Sequence, residues 1–236
     1  MALSTQASGT GTGSPMSLTW PTVAANDIAQ ITWTVDTSAP GTITYTNAIV
    51  SFGIDVASTR DGQSAGVAWK RCTSTESGGT LSVSGTGIGA GNPYVVGVTI
   101  FSGRSTSVDP TALSTNNSAA NSSPVTATAP SITASSGADL CVSYCPDPSV
   151  SGATNTWSYP GGWTERVNTE NTFADLTMIT QENVSAGATG TVVSTFTLTS
   201  GVAGWMAFHV HMPSTGGGGG ATSRNKMNFL LMGVGT

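Results

Sequence analysis

Charge is scarce in this chain. Only 8% of its 236 residues are Asp, Glu, Lys or Arg, against roughly 25% in a typical soluble domain. Seven Lys and Arg against twelve Asp and Glu leave a net charge of −5. So few cations make no basic stripe, which argues against a nucleic-acid partner. No polybasic segment is present to hold an anionic lipid surface, and no window approaches the ~20 apolar residues of a membrane helix. No membrane partner is expected. Residues 1–15 also lack the basic start and apolar centre of a secretory signal, so synthesis in a cytosol is expected.

Metal-binding and nucleophilic chemistry are equally thin. There are two histidines and three cysteines, and no CxxC pair. Cys72, Cys141 and Cys145 are odd in number. Cys141 and Cys145 fall on one face of a strand, too far apart along it to bridge without a fold-back. Buried, inert thiols made in a reducing compartment are expected. The chain has no G-x-S-x-G elbow. The five glycines at 216–220 lack the Lys-Ser/Thr of a phosphate-cradling loop and read as a linker. No cofactor and no enzyme activity are expected.

What the chain does have is strand chemistry. Its hydrophobic fraction is 38%, with 30 Gly, and many apolar residues alternate with Thr, Ser or Gly. That period of two describes half-buried strands, and no window repeats with a helical period. Strands are predicted at 31–35, 43–56, 67–72, 80–84, 94–101, 139–144, 163–168, 175–181, 191–199 and 203–212. Gly, Asn and Pro clusters punctuate them, such as Gly89-Ala90-Gly91-Asn92-Pro93. Residues 102–130, rich in Ser, Asn, Thr and Ala, read as a long surface excursion between two halves. The halves resemble each other in pattern, since strands 67–72, 80–84 and 94–101 have counterparts at 175–181, 191–199 and 203–212. Two such halves should pack face to face. The predicted fold is all-β, a two-sheet antiparallel sandwich, jelly-roll-like, with extended terminal arms. Residues 1–17 read as a flexible arm, 18–212 as the sandwich, 213–220 as a Pro/Gly linker and 221–236 as an apolar docking arm.

Few side chains stand out as sites. His209 and His211 lie two apart in a strand, on one face with Trp205 and Ala207, opposite the apolar Met206, Phe208, Val210 and Met212. That alternation makes the His face an outer or contact face. No third ligand is indicated, so metal binding is not expected. Asp55 and Asp61 flank a polar loop but lack an EF-hand ligand series. Among six tryptophans, those inside alternating strands default to core packing. Trp157 and Tyr159, followed by Pro-Gly-Gly, look loop-placed and are the candidates for surface or ligand contact. Phe229, Leu230, Leu231 and Met232 form an apolar strip that water disfavours. They are the candidate assembly contact.

The stretch Tyr159-Pro160-Gly161-Gly162-Trp163-Thr164-Glu165-Arg166 resembles a strand opening seen in virion surface proteins of tailed bacteriophages. So do its continuation through Trp205-Met206-Ala207 and the segment 94–103, YVVGVTIFSG. That group includes head-decoration and tail-fibre-like proteins with jelly-roll or sandwich domains. The resemblance covers roughly residues 40–212 and brings no catalytic residues. It implies a structural subunit of the virion surface, made in the host bacterial cytoplasm. Its partners would be capsid or neighbouring virion proteins and further copies of itself. The rival expectation is a carbohydrate- or host-receptor-binding module of a tail or fibre.

Elemental analysis of the purified protein should find no stoichiometric transition metal. One zinc per chain would overturn this and would point first to His209 and His211.

Overall fold

The computed structural model describes residues 3–46, 48–57, 62–150 and 155–215. Among them there is no helix, and every strand pairing is antiparallel. The first half holds β1 (Leu3–Thr12), β2 (Met16–Thr19), β3 (Ala25–Val35), β4 (Ile43–Tyr45), β5 (Val50–Ala57), β6 (Ser64–Thr73), β7 (Thr80–Gly85) and β8 (Pro93–Phe101). The second begins with β9 (Thr111–Ser122), β10 (Val125–Ala129), β11 (Thr133–Ala134), β12 (Ala138–Pro148) and β13 (Asn155–Ser158). It continues through β14 (Thr164–Asn171), β15 (Ala174–Val184), β16 (Gly187–Ala188), β17 (Val192–Leu198) and β18 (Val202–Met212).

Each half is a sandwich in its own right. In the first, a large sheet of order β1-β8-β3-β6-β5 lies over a small sheet of order β2-β7-β4. In the second, the large sheet runs β9-β18-β12-β15-β14 and the small one β10-β17-β13. The two orders become identical once β1 is matched to β9, β2 to β10, β3 to β12, β4 to β13, β5 to β14, β6 to β15, β7 to β17 and β8 to β18. Only the short β11–β16 pair has no counterpart. A trace of the repeat survives in sequence where the second strand of each half begins. Ser14-Pro15-Met16-Ser17-Leu18-Thr19-Trp20-Pro21 matches Ser123-Pro124-Val125-Thr126-Ala127-Thr128-Ala129-Pro130. The expected pairing of two halves into one sandwich is therefore corrected. The chain stacks two sandwiches, four β layers deep.

Three cores fill the gaps between layers. Trp20, Ile31, Trp33, Leu81 and Val96 pack the first sandwich, and Tyr144, Ile179, Phe196 and Trp205 pack the second. Between the two large sheets lies a third core, with Ile28, Val67 and Phe101 meeting Leu176, Met178, Met206 and Phe208. The large sheets are thus covered on both faces, and β8 and β12 are buried at every residue. The outer sheets keep the half-buried alternation, as in β17 and β10. This explains why 94–101 reads as a continuous apolar run while 191–199 alternates.

Two segments read as irregular are strands. Within the expected N-terminal arm, residues 3–17 are not loose: β1 pairs with β8 from Leu3 to Thr12, and β2 begins at Met16. Its glycines serve close approach. A Cβ on Gly9 would come within 2.5 Å of the Ser17 carbonyl, and one on Gly11 within 2.7 Å of the Tyr94 hydroxyl. The expected excursion at 102–130 contains β9 and β10. An edge strand takes its ladder from one neighbour, here β18, and needs few apolar side chains. The strand expected across 43–56 is broken, and its parts β4 and β5 enter different sheets.

Gly97 sets the spacing between the sandwiches. A Cβ there would stand 2.8 Å from Leu176 Cδ2 and 3.0 Å from Met178 Sδ. Gly97→Val should therefore lower unfolding stability by about 1–3 kcal/mol through overpacking. Gly161→Ala, where nothing lies within 4 Å, should change it by less than about 0.5 kcal/mol. Denaturant titration of the two variants checks both.

Candidate functional site

The aromatic candidates form a packed ladder, not a pair of free platforms. Trp157 lies in β13 with ring centroids 5.4 Å from Tyr144, 4.8 Å from Phe196 and 6.0 Å from Tyr159. The Trp157 and Tyr159 planes are only 12° apart, so the two rings stack with an offset. Both are half-buried against the core of the second sandwich. Loop placement of Trp157 is corrected to a strand of the outer sheet. The Tyr159 hydroxyl donates to the Glu165 carboxylate and sits 2.9 Å from Thr177 Oγ1. Burial, reinforced by that carboxylate, pushes its phenol well above the ordinary range. Trp163 is also half-buried and meets His209 edge-on at 5.9 Å. Glu165 is exposed beside this cluster.

The histidine face is not an outer face. His209 is fully buried and His211 is 8% exposed. The side-chain alternation along β18 is as expected, with Trp205 and Ala207 on one side and Met206, Phe208, Val210 and Met212 on the other. Both sides of the strand meet protein, and neither meets water. The small sheet and the segment 130–135 cover the His side. His209 Nδ1 donates to the Pro130 carbonyl at 2.7 Å, which leaves Nε2 unprotonated and without a partner. His211 Nε2 lies 3.1 Å from the Ser135 amide and 3.0 Å from its hydroxyl. No cluster of three or more His, Cys, Asp or Glu able to hold a metal occurs among the described residues. Asp61 and the Asp55 side chain lie outside them.

Two buried ion pairs went unread in the sequence. Lys70 and Glu76 meet at 3.2 Å beside an open cleft of about 370 Å³ that Trp20, Thr73 and Thr75 also line. Burial works against ionising Glu76, but the Thr73 amide, the Thr73 hydroxyl and Lys70 outweigh it and hold the carboxyl low. Its oxygens are thereby committed to closing the turn after β6. Arg104 and Asp139 meet at 3.2 Å, with side chains 4% and 2% exposed. Arg104 also donates to the Gly137 and Ser102 carbonyls, and the Asn183 amide donates to Asp139. Burial still lifts the Asp139 carboxyl above its usual value. This pair fastens the connection between the sandwiches. All three thiols are free and buried. Burial, then Glu76 and Asp27, pushes Cys72 up to about 12, and burial raises Cys141 and Cys145 further.

The feature most available for contact is an edge. Each large sheet ends in one guarded strand and one unguarded strand. All four edge strands carry a register break, but β5 contains Asp55 and β14 contains Glu165, Arg166 and Glu170. Such charges discourage strand addition. Neither β1 nor β9 carries a charge. Leu113 within β9 is 46% exposed and Val108 just before it 51%. A legible signal existed: no charged residue falls between Asp109 and Asp139, or before Asp27. Phe229, Leu230, Leu231 and Met232, the proposed assembly contact, lie outside the described residues.

Comparison with known protein families, curated proteins and solved structures finds no match.

Burial holds both imidazoles below their ordinary value near 6.5, with the Pro130 carbonyl and His211 acting on His209 in opposite senses. Below pH 6.5 the unfolded chain therefore takes up protons that the folded chain refuses, and stability should fall as pH drops. The urea midpoint should be lower at pH 5.5 than at pH 7.5. His209→Phe should narrow that difference while costing about 1–2 kcal/mol at both values, because the Pro130 carbonyl loses its donor.

Proposed function

We propose that this chain is a non-enzymatic structural subunit of a phage virion surface, a capsid decoration or cement protein. It would be made in the host cytoplasm and hold its neighbours, including copies of itself, through sheet edges and its C-terminal arm. The observation that carries the reading is the pair of long, uncharged edge strands on a double sandwich. A weakly charged Ser/Thr-rich surface suits broad contacts repeated by symmetry. The strand order supports it too. Within each half, strands one, eight, three and six form one sheet, with two, seven and four in the other. We read this as a jelly roll extended by the fifth strand, an architecture shared by viral capsid and lectin domains. Around the quoted stretch, Gly162 has φ +86°, which suits glycine, and Trp163 anchors the strand that follows.

A second reading, a glycan- or receptor-binding module, is favoured by the partial exposure of Trp157, Tyr159 and Trp163 beside Glu165. The mutual stacking of Trp157 and Tyr159 speaks against it, because a sugar ring needs a free aromatic face. Quenching of tryptophan fluorescence by host glycans would favour it.

Deleting residues 221–236 should leave a soluble, folded body that fails to join the particle or to stay on it. Particle co-sedimentation and electron microscopy of C-terminally labelled protein check this. Unchanged occupancy by the truncated chain would overturn the role of the arm.

A further inference from the structure

We infer that the outer edge of β9, at residues 111–117, is the acceptor for the apolar strip 227–234 of a second copy of this chain. The strip would join as an antiparallel strand extending the second large sheet. This rests on the proposed role of the C-terminal arm and names the surface that receives it.

Among the described residues no strand pairs with that edge, since β9 ladders only with β18. From Thr111 to Asn117 the ladder is regular, and the register breaks only afterwards. An unpaired, straight, uncharged strand is the template that strand addition requires. β1 is a poorer acceptor. It contains Gly9 and Gly11, and the described part of it exposes no large apolar side chain. Leu113 within β9 and Val108 just before it offer apolar footing to a partner. The strip Met227-Asn228-Phe229-Leu230-Leu231-Met232-Gly233-Val234 is itself uncharged, so no charge need be stripped of water when the two meet.

The place where the chain leaves the body selects a second copy. β18 runs antiparallel to β9, with His211 opposite Thr111. Beyond it, the Pro213 carbonyl accepts from the Ser105 amide, and Ser214 bridges to Arg104. The chain is therefore heading away from residues 111–117 when it reaches Thr215. To reach its own β9 edge directly it would have to reverse and pair in parallel, a slightly weaker ladder. To pair antiparallel with its own edge, residues 216–226 would have to run back past the whole of 111–117 nearly fully extended. The same eleven residues, with a reach of up to about 37 Å, can meet a neighbour's edge antiparallel.

The test uses full-length chains, in which the native thiols are buried. Leu113→Cys protein and size-tagged Leu230→Cys protein are mixed and oxidised, with Thr10→Cys on β1 replacing Leu113→Cys in a control. The expected result is a mixed disulfide dimer at least tenfold above the control. Leu113→Lys should weaken self-association at least tenfold by sedimentation, and Thr10→Lys should leave it unchanged. Crosslinking confined to single chains of the Leu113→Cys/Leu230→Cys double variant would overturn docking on a second copy. A mixed dimer seen only with Thr10→Cys would move the acceptor to β1 and overturn the assignment. If deleting 221–236 abolishes association while neither Leu113 variant has an effect, the β9 acceptor falls and the arm stands. If that deletion changes nothing, the reading of the arm falls as well.

Discussion

The burial on both faces of the central strands of the two large sheets is the constraint from which the rest of the molecule follows. A strand in that position has no watered side, so every polar group on it must find a protein partner or go without. At the meeting of the central strands, Gln30 Nε2 donates to Ser143 Oγ at 3.0 Å and Thr32 Oγ1 lies 2.8 Å from the same hydroxyl. Tyr144 donates to the Val192 carbonyl at 2.9 Å. The same constraint accounts for part of the low charge. Residues that would face water in an ordinary sandwich here face another layer, and a charge in such a place must be paired, as Lys70 and Arg104 are.

The repeat of one strand order in two halves fits this arrangement. β1 lies against β14, and its counterpart β9 lies against β5, the counterpart of β14. The exchange is not complete, because β8 packs on β14 and β15 while its counterpart β18 meets β5 and β6 far less. One consequence of the repeat is that unguarded edges come in a related pair, β1 and β9. The two have diverged: β2 folds back closely over β1 at Gly9, whereas β9 retains exposed Leu113. The connection between the halves is not left loose either. Arg104 and Asp139 tie it to the second sandwich at the point where the Ser105 amide also holds Pro213.

Much of the fold was legible in the chain. Period-two patterning and the absence of helical windows gave the class, and ten predicted segments overlap observed strands. The correspondence of 67–101 with 175–212 pointed to the repeat. The sequence also determined which side chains share a face, since alternation along a strand is fixed by backbone geometry. His209 and His211 do share one with Trp205. What covers that face was decided by tertiary structure alone, because alternation names two sides of a strand and says nothing about a second layer. The same holds for Trp157, which Tyr144 reaches across the gap between sheets. Strands β1 and β9 were hidden for a related reason. Their Ser, Thr, Gly and Asn carry no hydrophobic signal, and they are strands only because β8 and β18 offer them a ladder. Local sequence set the period of each segment. Long-range pairing decided which polar segments became edges and which faces left the solvent.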